Sequence, residues 1–212
     1  MSATPARDAI DWGRVRADFP LLAREVHGKP LVYLDSANTG QKPAAVIEAV
    51  DDFYRRHNAN VSRAVHALGS EATEAYEGAR ARLARFLKVR ADELVLCSGT
   101  TFALNLVAYS WALPRLQAGD VVLLSRMGHH ANIVPWHFLR ERQGIVLKWV
   151  EPAPDGSLDA EKVIAAIGPK TRLIAVTQMS NVTGARVDVA RICRAAKEKG
   201  VPVLVDGSQG AV

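Results

Sequence analysis

Four short segments carry residue types suited to chemistry. Ser98-Gly99-Thr100-Thr101 offers two hydroxyls beside a glycine. Met127-Gly128-His129-His130-Ala131-Asn132 offers a flat imidazole, Ser180-Asn181-Val182-Thr183-Gly184 an amide, and Asp206-Gly207-Ser208-Gln209 a carboxylate and a second amide. A helix beginning at Thr100 or Thr101 would present free N–H groups and partial positive charge to an anion. Gly99 would let the backbone approach that anion closely. An imidazole can stack on an aromatic ring, a carboxylate can hold the proton of a ring nitrogen, and amides can donate to a ring oxygen. Together these demands describe a bound aromatic, phosphorylated cofactor.

The elements that must position these groups follow from periodicity. Leu94–Cys97, Val121–Leu124, Ile145–Val150, Leu173–Thr177 and Val203–Val205 are short apolar runs of buried-strand type. Helical spacing appears between them, over Thr101–Trp111, Asn132–Arg142, Asp159–Ile167 and Val187–Lys199, the last ending at Gly200. Such alternation predicts an α/β fold, a mostly parallel sheet with helices on both faces. Ligands of such sheets bind beyond the carboxyl ends of the strands, where the four segments lie. Upstream, the pattern predicts a short helix over Asp11–Phe19, a strand at Leu31–Leu34, a helix from Pro43 to about His57, and a helix capped by Ser70 with Tyr76, Leu83, Phe86 and Leu87 on its apolar face.

Taken singly, each candidate has a purely structural reading. Thr100 or Thr101 could cap a helix, Asp206 could cap the next element, His129 could be a loop histidine, and Asn181 could be a turn residue. Their recurrence at four of the five expected strand ends is what points to a ligand.

Composition narrows the class. The 212 residues are 49% hydrophobic and 23% charged, enough for one large or two small domains with a real core. The net charge of +5 comes from 27 basic and 22 acidic residues spread along helical segments, with no basic arm suited to nucleic acid. Met1–Ala9 lacks the apolar core of a signal peptide, and no apolar segment approaches membrane-spanning length. Cys97 and Cys193 form no CxxC or zinc pattern, so a reducing, cytoplasmic setting is expected.

Pyridoxal 5′-phosphate makes all of these demands at once: phosphate donors, a stacking partner, a carboxylate at the pyridine nitrogen and donors to the ring oxygen. The segments Leu34-Asp35-Ser36-Ala37, Gln41-Lys42-Pro43, Asn58-Ala59-Asn60-Val61, Gly99-Thr100-Thr101, His129-His130-Ala131-Asn132-Ile133-Val134-Pro135-Trp136, Ser180-Asn181-Val182 and Val205-Asp206-Gly207 resemble the SUF-type cysteine desulfurases. These belong to the class V aminotransferase family, fold type I of the pyridoxal-phosphate enzymes. The resemblance runs from about Val15 to Val212, and the His-His-Ala-Asn-Ile-Val-Pro-Trp run is its most specific part.

The resemblance implies that Thr100 and Thr101 help hold the phosphate and that His129 stacks on the ring. It implies that Asp206 pairs with the ring nitrogen, and that Asn181 and Gln209 face the ring oxygen. It assigns residues 1–30 to an N-terminal arm and helix, and 31–212 to the N-terminal portion of the large cofactor-binding domain. It implies conversion of L-cysteine to L-alanine, with sulfur passed as a persulfide to an acceptor protein of iron–sulfur cluster assembly, by a cytoplasmic homodimer. No metal, nucleic-acid or membrane partner is expected. Three positions depart from the family pattern: Gly128 and Phe102 replace glutamates, and Ser62, before Arg63 and Ala64, replaces a histidine. The family's Schiff-base lysine and nucleophilic cysteine are not among these residues, which leads to the expectation of a truncated domain inactive alone. The alternatives are a selenocysteine lyase or kynureninase-like relative, or a catalytically dead interaction module.

Overall fold

The computed structural model describes residues 10–63 and 65–210. The readings that fall on Met1–Ala9, Ala64 and the final two residues lie outside them. The chain divides into two compact units, Met1–Leu96 and Cys97–Val212.

The first unit is mainly helical. Helix α1 spans Trp12–Ala17, with the Asp11 side chain accepting from the Arg14 N–H, and a 3-10 turn follows at Pro20–Ala23. Strands β1 (Glu25–Val26) and β2 (Lys29–Pro30) form a minimal antiparallel hairpin. The expected strand at Leu31–Leu34 does not form. The Leu31 N–H instead donates to the Arg24 carbonyl, and the Leu31 carbonyl accepts from the Arg16 guanidinium at 2.7 Å. No ladder partner is left for it.

Helix α2 covers Ala44–Asp52 and continues as a π turn to His57, close to the reading from periodicity. Helix α3 covers Ala67–Leu87 and begins earlier than expected, because the His66 imidazole, not Ser70, accepts from the first turn. Its buried residues are the small ones, Gly69, Ala72 and Ala84, while Leu83, Phe86 and Leu87 stay exposed. The apolar stripe exists, but its large side chains are not its packed side. The Arg80 guanidinium lies 5.1 Å from the Tyr76 ring and bonds the Leu94 carbonyl, pinning the chain after α3. Ser62 and Arg63 both hold left-handed φ, 62° and 55°, at a family departure.

The second unit is the expected α/β layer structure. Helix α4 (Thr100–Leu106) runs on as a π turn through Val107–Ala112. Then come β3 (Val121–Ser125), α5 (Val134–Gln143), β4 (Val146–Val150), α6 (Ala160–Ala165), β5 (Thr171–Thr177), α7 (Val189–Glu198) and β6 (Val203–Asp206). The four strands lie in the order β4-β3-β5-β6, all parallel. The expected strand at Leu94–Cys97 is absent: Val95 is 65% exposed and the run pairs with nothing in the sheet. An apolar run without a neighbouring strand to bond has no reason to adopt the pleat.

Strand residues alternate between two cores. Leu123, Ile174 and Val176 pack with Val163, Ile192 and Ala196 of α6 and α7. Val122, Leu124, Leu173 and Ala175 pack on the opposite face with Trp136 and Leu139 of α5, beneath Ala108 and Ala112. Both faces are covered, so the strands read as continuous apolar runs.

Candidate active site at the carboxyl edge of the sheet

The strand order sets the place of the site. From β3 the chain crosses through α5 to β4 on one side, and from β5 it crosses through α7 to β6 on the other. The direction therefore reverses between β3 and β5, and the loops leaving these two strands diverge. Such a switch point opens a crevice for ligands. A cavity of about 450 Å3 lies there, lined by Gly128, His129 and His130 from the β3 loop, by Ser180, Asn181 and Thr183 from the β5 loop, and by Gly156.

The β3 loop is shaped by close approach and by an internal cap. A Cβ built on Gly128 would lie 3.3 Å from the Ser125 carbonyl, tighter than most side chains meet, and at an ordinary contact distance of 3.6 Å from Thr177 Oγ1. His129 Nδ1 accepts from the Ala131 N–H at 3.1 Å and starts the 3-10 turn His130–Asn132. With Nδ1 accepting, Nε2 is the ring nitrogen left to meet a ligand. The imidazoles of His129 and His130 meet edge to face, 6.2 Å apart. Behind the loop, Asn132 is buried and accepts from Trp136 Nε1 at 3.4 Å.

The β5 loop is equally self-bonded. Buried Ser180 accepts the N–H groups of Val182 and Thr183 at its hydroxyl, both at 3.2 Å, leaving Asn181 half-buried on the cavity wall. Asp206 closes β6 as the ladder partner of Thr177 and is 4% exposed. Its Oδ1 accepts both from the Ser208 N–H at 3.1 Å and from the Ser208 hydroxyl at 2.6 Å. Gln209 sits half-buried in the turn that follows.

Thr100 and Thr101 occupy the exposed first turn of α4. The preceding Gly99 has φ 148° with open space around it, so backbone conformation rather than room requires glycine there. No side chain caps this helix start, and its N–H groups remain open to an anion. Helix α4 packs against the His130–Asn132 turn, which also meets β5.

His129 and Asn181 thus share one cavity wall, whereas Asp206 and Gln209, at and just past the end of β6, and Thr100 and Thr101, at the start of α4, lie outside that lining. The sequence reading missed Thr177 and Ser208. Thr177 Oγ1 is buried without a hydrogen-bond partner among the described residues. The spacing Asp206-x-Ser208 is that of an Asx turn, a signal that could have found Ser208. Cys97, expected inside a strand, is exposed in the loop before α4. Cys193 is half-buried on α7 as expected, and burial pushes its thiol up from the ordinary value.

The residue set suits a phosphorylated aromatic ring: an uncapped helix start with two hydroxyls, an imidazole, a buried carboxylate and a buried hydroxyl without a partner among the described residues.

Comparison with known proteins gives relatives over nearly the whole chain. The chain is 60% identical over 201 residues to a probable cysteine desulfurase of Xylella fastidiosa (strain Temecula1 / ATCC 700964), covering 95% of this chain and 48% of the relative. The S-sulfonic acid form of the Escherichia coli cysteine desulfurase CsdA superposes with a TM-score of 0.81 at 38% identity, over 97% of this chain and 50% of that one. The apo cysteine desulfurase of Thermococcus onnurineus NA1 superposes with a TM-score of 0.87 at 31% identity, over 100% of this chain and 50% of that one. The chain therefore spans about half the length of the relatives it matches. The family model for aminotransferase class-V matches residues 32–212. With that match over most of its length, the chain belongs to the aminotransferase class-V family.

Proposed function

We propose that this chain supplies the first part of a pyridoxal-phosphate site in a cysteine desulfurase. The observation that carries the reading is the buried Asp206 carboxylate at the end of β6, beside the crevice between the β3 and β5 loops. The likeness to cysteine desulfurases at 60% and 38% identity supports the choice of reaction.

Within this reading Thr100 and Thr101, with the open N–H groups of α4, bind the phosphate. His129 lies flat against the ring, its orientation fixed by the bond to the Ala131 N–H. Asp206 holds a proton on the pyridine nitrogen, because an adjacent carboxylate favours the charged ring. Asn181 and Gln209 orient the ring oxygen. When bound, the cofactor supplies an electron sink for the substrate. Residues 31–212 form the N-terminal portion of the large domain, preceded by an arm over residues 1–30. The complete protein acts on L-cysteine as a cytoplasmic homodimer, releasing alanine and passing sulfur to an acceptor of iron–sulfur assembly. Among the described residues no helix is long and apolar enough to cross a membrane.

The test is a titration of the purified chain with pyridoxal phosphate, followed by absorbance, alongside an assay of alanine released from L-cysteine by the protein isolated from its source. Saturable binding lost in Asp206→Ala, together with alanine release, is expected. Absence of both would overturn the proposal.

A further inference from the structure

We infer that Thr177 is a positioning residue for Asp206, and that its hydroxyl gains its hydrogen-bond partner when the cofactor site is filled. This rests on the pyridoxal-phosphate reading above. Thr177 ends β5, is 4% exposed, and its Oγ1 is enclosed without a partner among the described residues. A buried hydroxyl that bonds nothing is unfavourable, and valine would fill the same volume without that cost. Packing therefore does not explain why the residue is threonine.

Its neighbours supply an explanation. Thr177 and Asp206 are in register across the parallel ladder. Alternation puts Thr177 on the face of Leu173 and Ala175, and Asp206 on that of Leu204, which are the same face. Gly128 contributes no Cβ to the space beside Oγ1. The Ser125 carbonyl on that side already accepts the Gly128 N–H at 3.2 Å.

An ionised carboxylate offers about four acceptor sites, two on each oxygen. Ser208 fills two of them at Oδ1. A ring N–H would take a third at Oδ2, and the fourth is left for a neighbouring donor. Thr177, in register with Asp206 on the neighbouring strand and on the same face, is the hydroxyl placed to supply it. With all four sites taken, the carboxylate can neither turn nor readily accept a proton, so it stays charged against the ring nitrogen. Thr177 thus acts on the cofactor through Asp206.

The experiment compares the chain with Thr177→Val and Thr177→Ser. It reads pyridoxal-phosphate Kd from tryptophan fluorescence quenching, the absorbance spectrum of the complex, and the Tm of each ligand-free protein. Thr177→Val is expected to keep or raise the ligand-free Tm, because it removes an unpaired buried hydroxyl. It should weaken the cofactor on the order of tenfold, as for loss of one hydrogen bond to a charged group, and shift the spectrum toward the unprotonated pyridine. Thr177→Ser, which keeps the hydroxyl, should restore affinity and spectrum. Wild-type Kd and spectrum in Thr177→Val would overturn the inference and leave the cofactor reading standing. A lower ligand-free Tm in Thr177→Val would assign the hydroxyl to the fold instead and also overturn it. Absence of saturable binding by the unmodified chain would remove the cofactor reading and this inference together.

Discussion

Ser208 grips Asp206 at a single oxygen: its N–H and its hydroxyl both converge on Oδ1, at 3.1 and 2.6 Å. The carboxylate is thereby oriented by the turn that follows it, and among the described residues no basic side chain pairs with it. Asn in place of Asp206 keeps the shape and can still accept from Ser208, but it loses the charge. Asp206→Asn should therefore fold normally, with Tm within a few degrees of the parent. It should bind pyridoxal phosphate at least about tenfold more weakly, and slow turnover of the complete enzyme by about a hundredfold or more, as when a charge partner leaves a reacting centre. Thermal melts, ligand titration and an alanine assay check the three outcomes.

His129 has two separable functions, a cap for the Ala131 N–H and a ring for the cofactor. His129→Asn should keep the cap and lose the ring. His129→Ala should lose both, costing in addition about 1 kcal/mol of stability. Both variants should alter the bound-cofactor spectrum, and only the alanine variant should melt earlier.

Trp136 is fully enclosed in the core shared by α5 and the sheet, and it holds Asn132 behind the histidine loop. Its replacement by alanine leaves a large cavity. Trp136→Ala should destabilise the chain by about 3–5 kcal/mol in urea unfolding. Trp136→Phe should cost considerably less.

The two cysteines should differ in reactivity. Cys97 is exposed, whereas Cys193 is half-buried with its thiol pushed up by burial. A raised pKa leaves less thiolate at any pH below it, so Cys193 should alkylate slowly at neutrality and faster as pH rises. Peptide mass mapping after brief iodoacetamide treatment should find Cys97 modified first.

Much of this architecture is legible from residue order. Strands β3 to β6 and the helices between them follow apolar runs and helical spacing, and the rule that ligands sit past strand ends led to His129, Asn181 and Asp206. Leu31–Leu34 and Leu94–Cys97 read identically as strands, yet their backbones find no ladder, and pairing is a tertiary fact that periodicity cannot supply. Ser70 has the better capping chemistry, but His66 reaches the Gly69 N–H first. Thr177 escaped notice because threonine is an ordinary strand residue. Its importance depends on which residue lies opposite, and the order of strands decides that.

One edge of the sheet has a practical consequence. Among the described residues β6 bonds only to β5, and its Val203 and Leu204 line an apolar trough together with Leu106, Val107, Trp111 and Leu173. A strand with one row of N–H and C=O groups unpaired is a template for strands from other molecules. Solubility of the isolated chain should therefore be governed by collision between copies, with light scattering rising steeply with concentration at temperatures far below unfolding. A lysine placed in the middle of β6, as in Leu204→Lys, should suppress that rise, since charge on an edge strand resists further pairing.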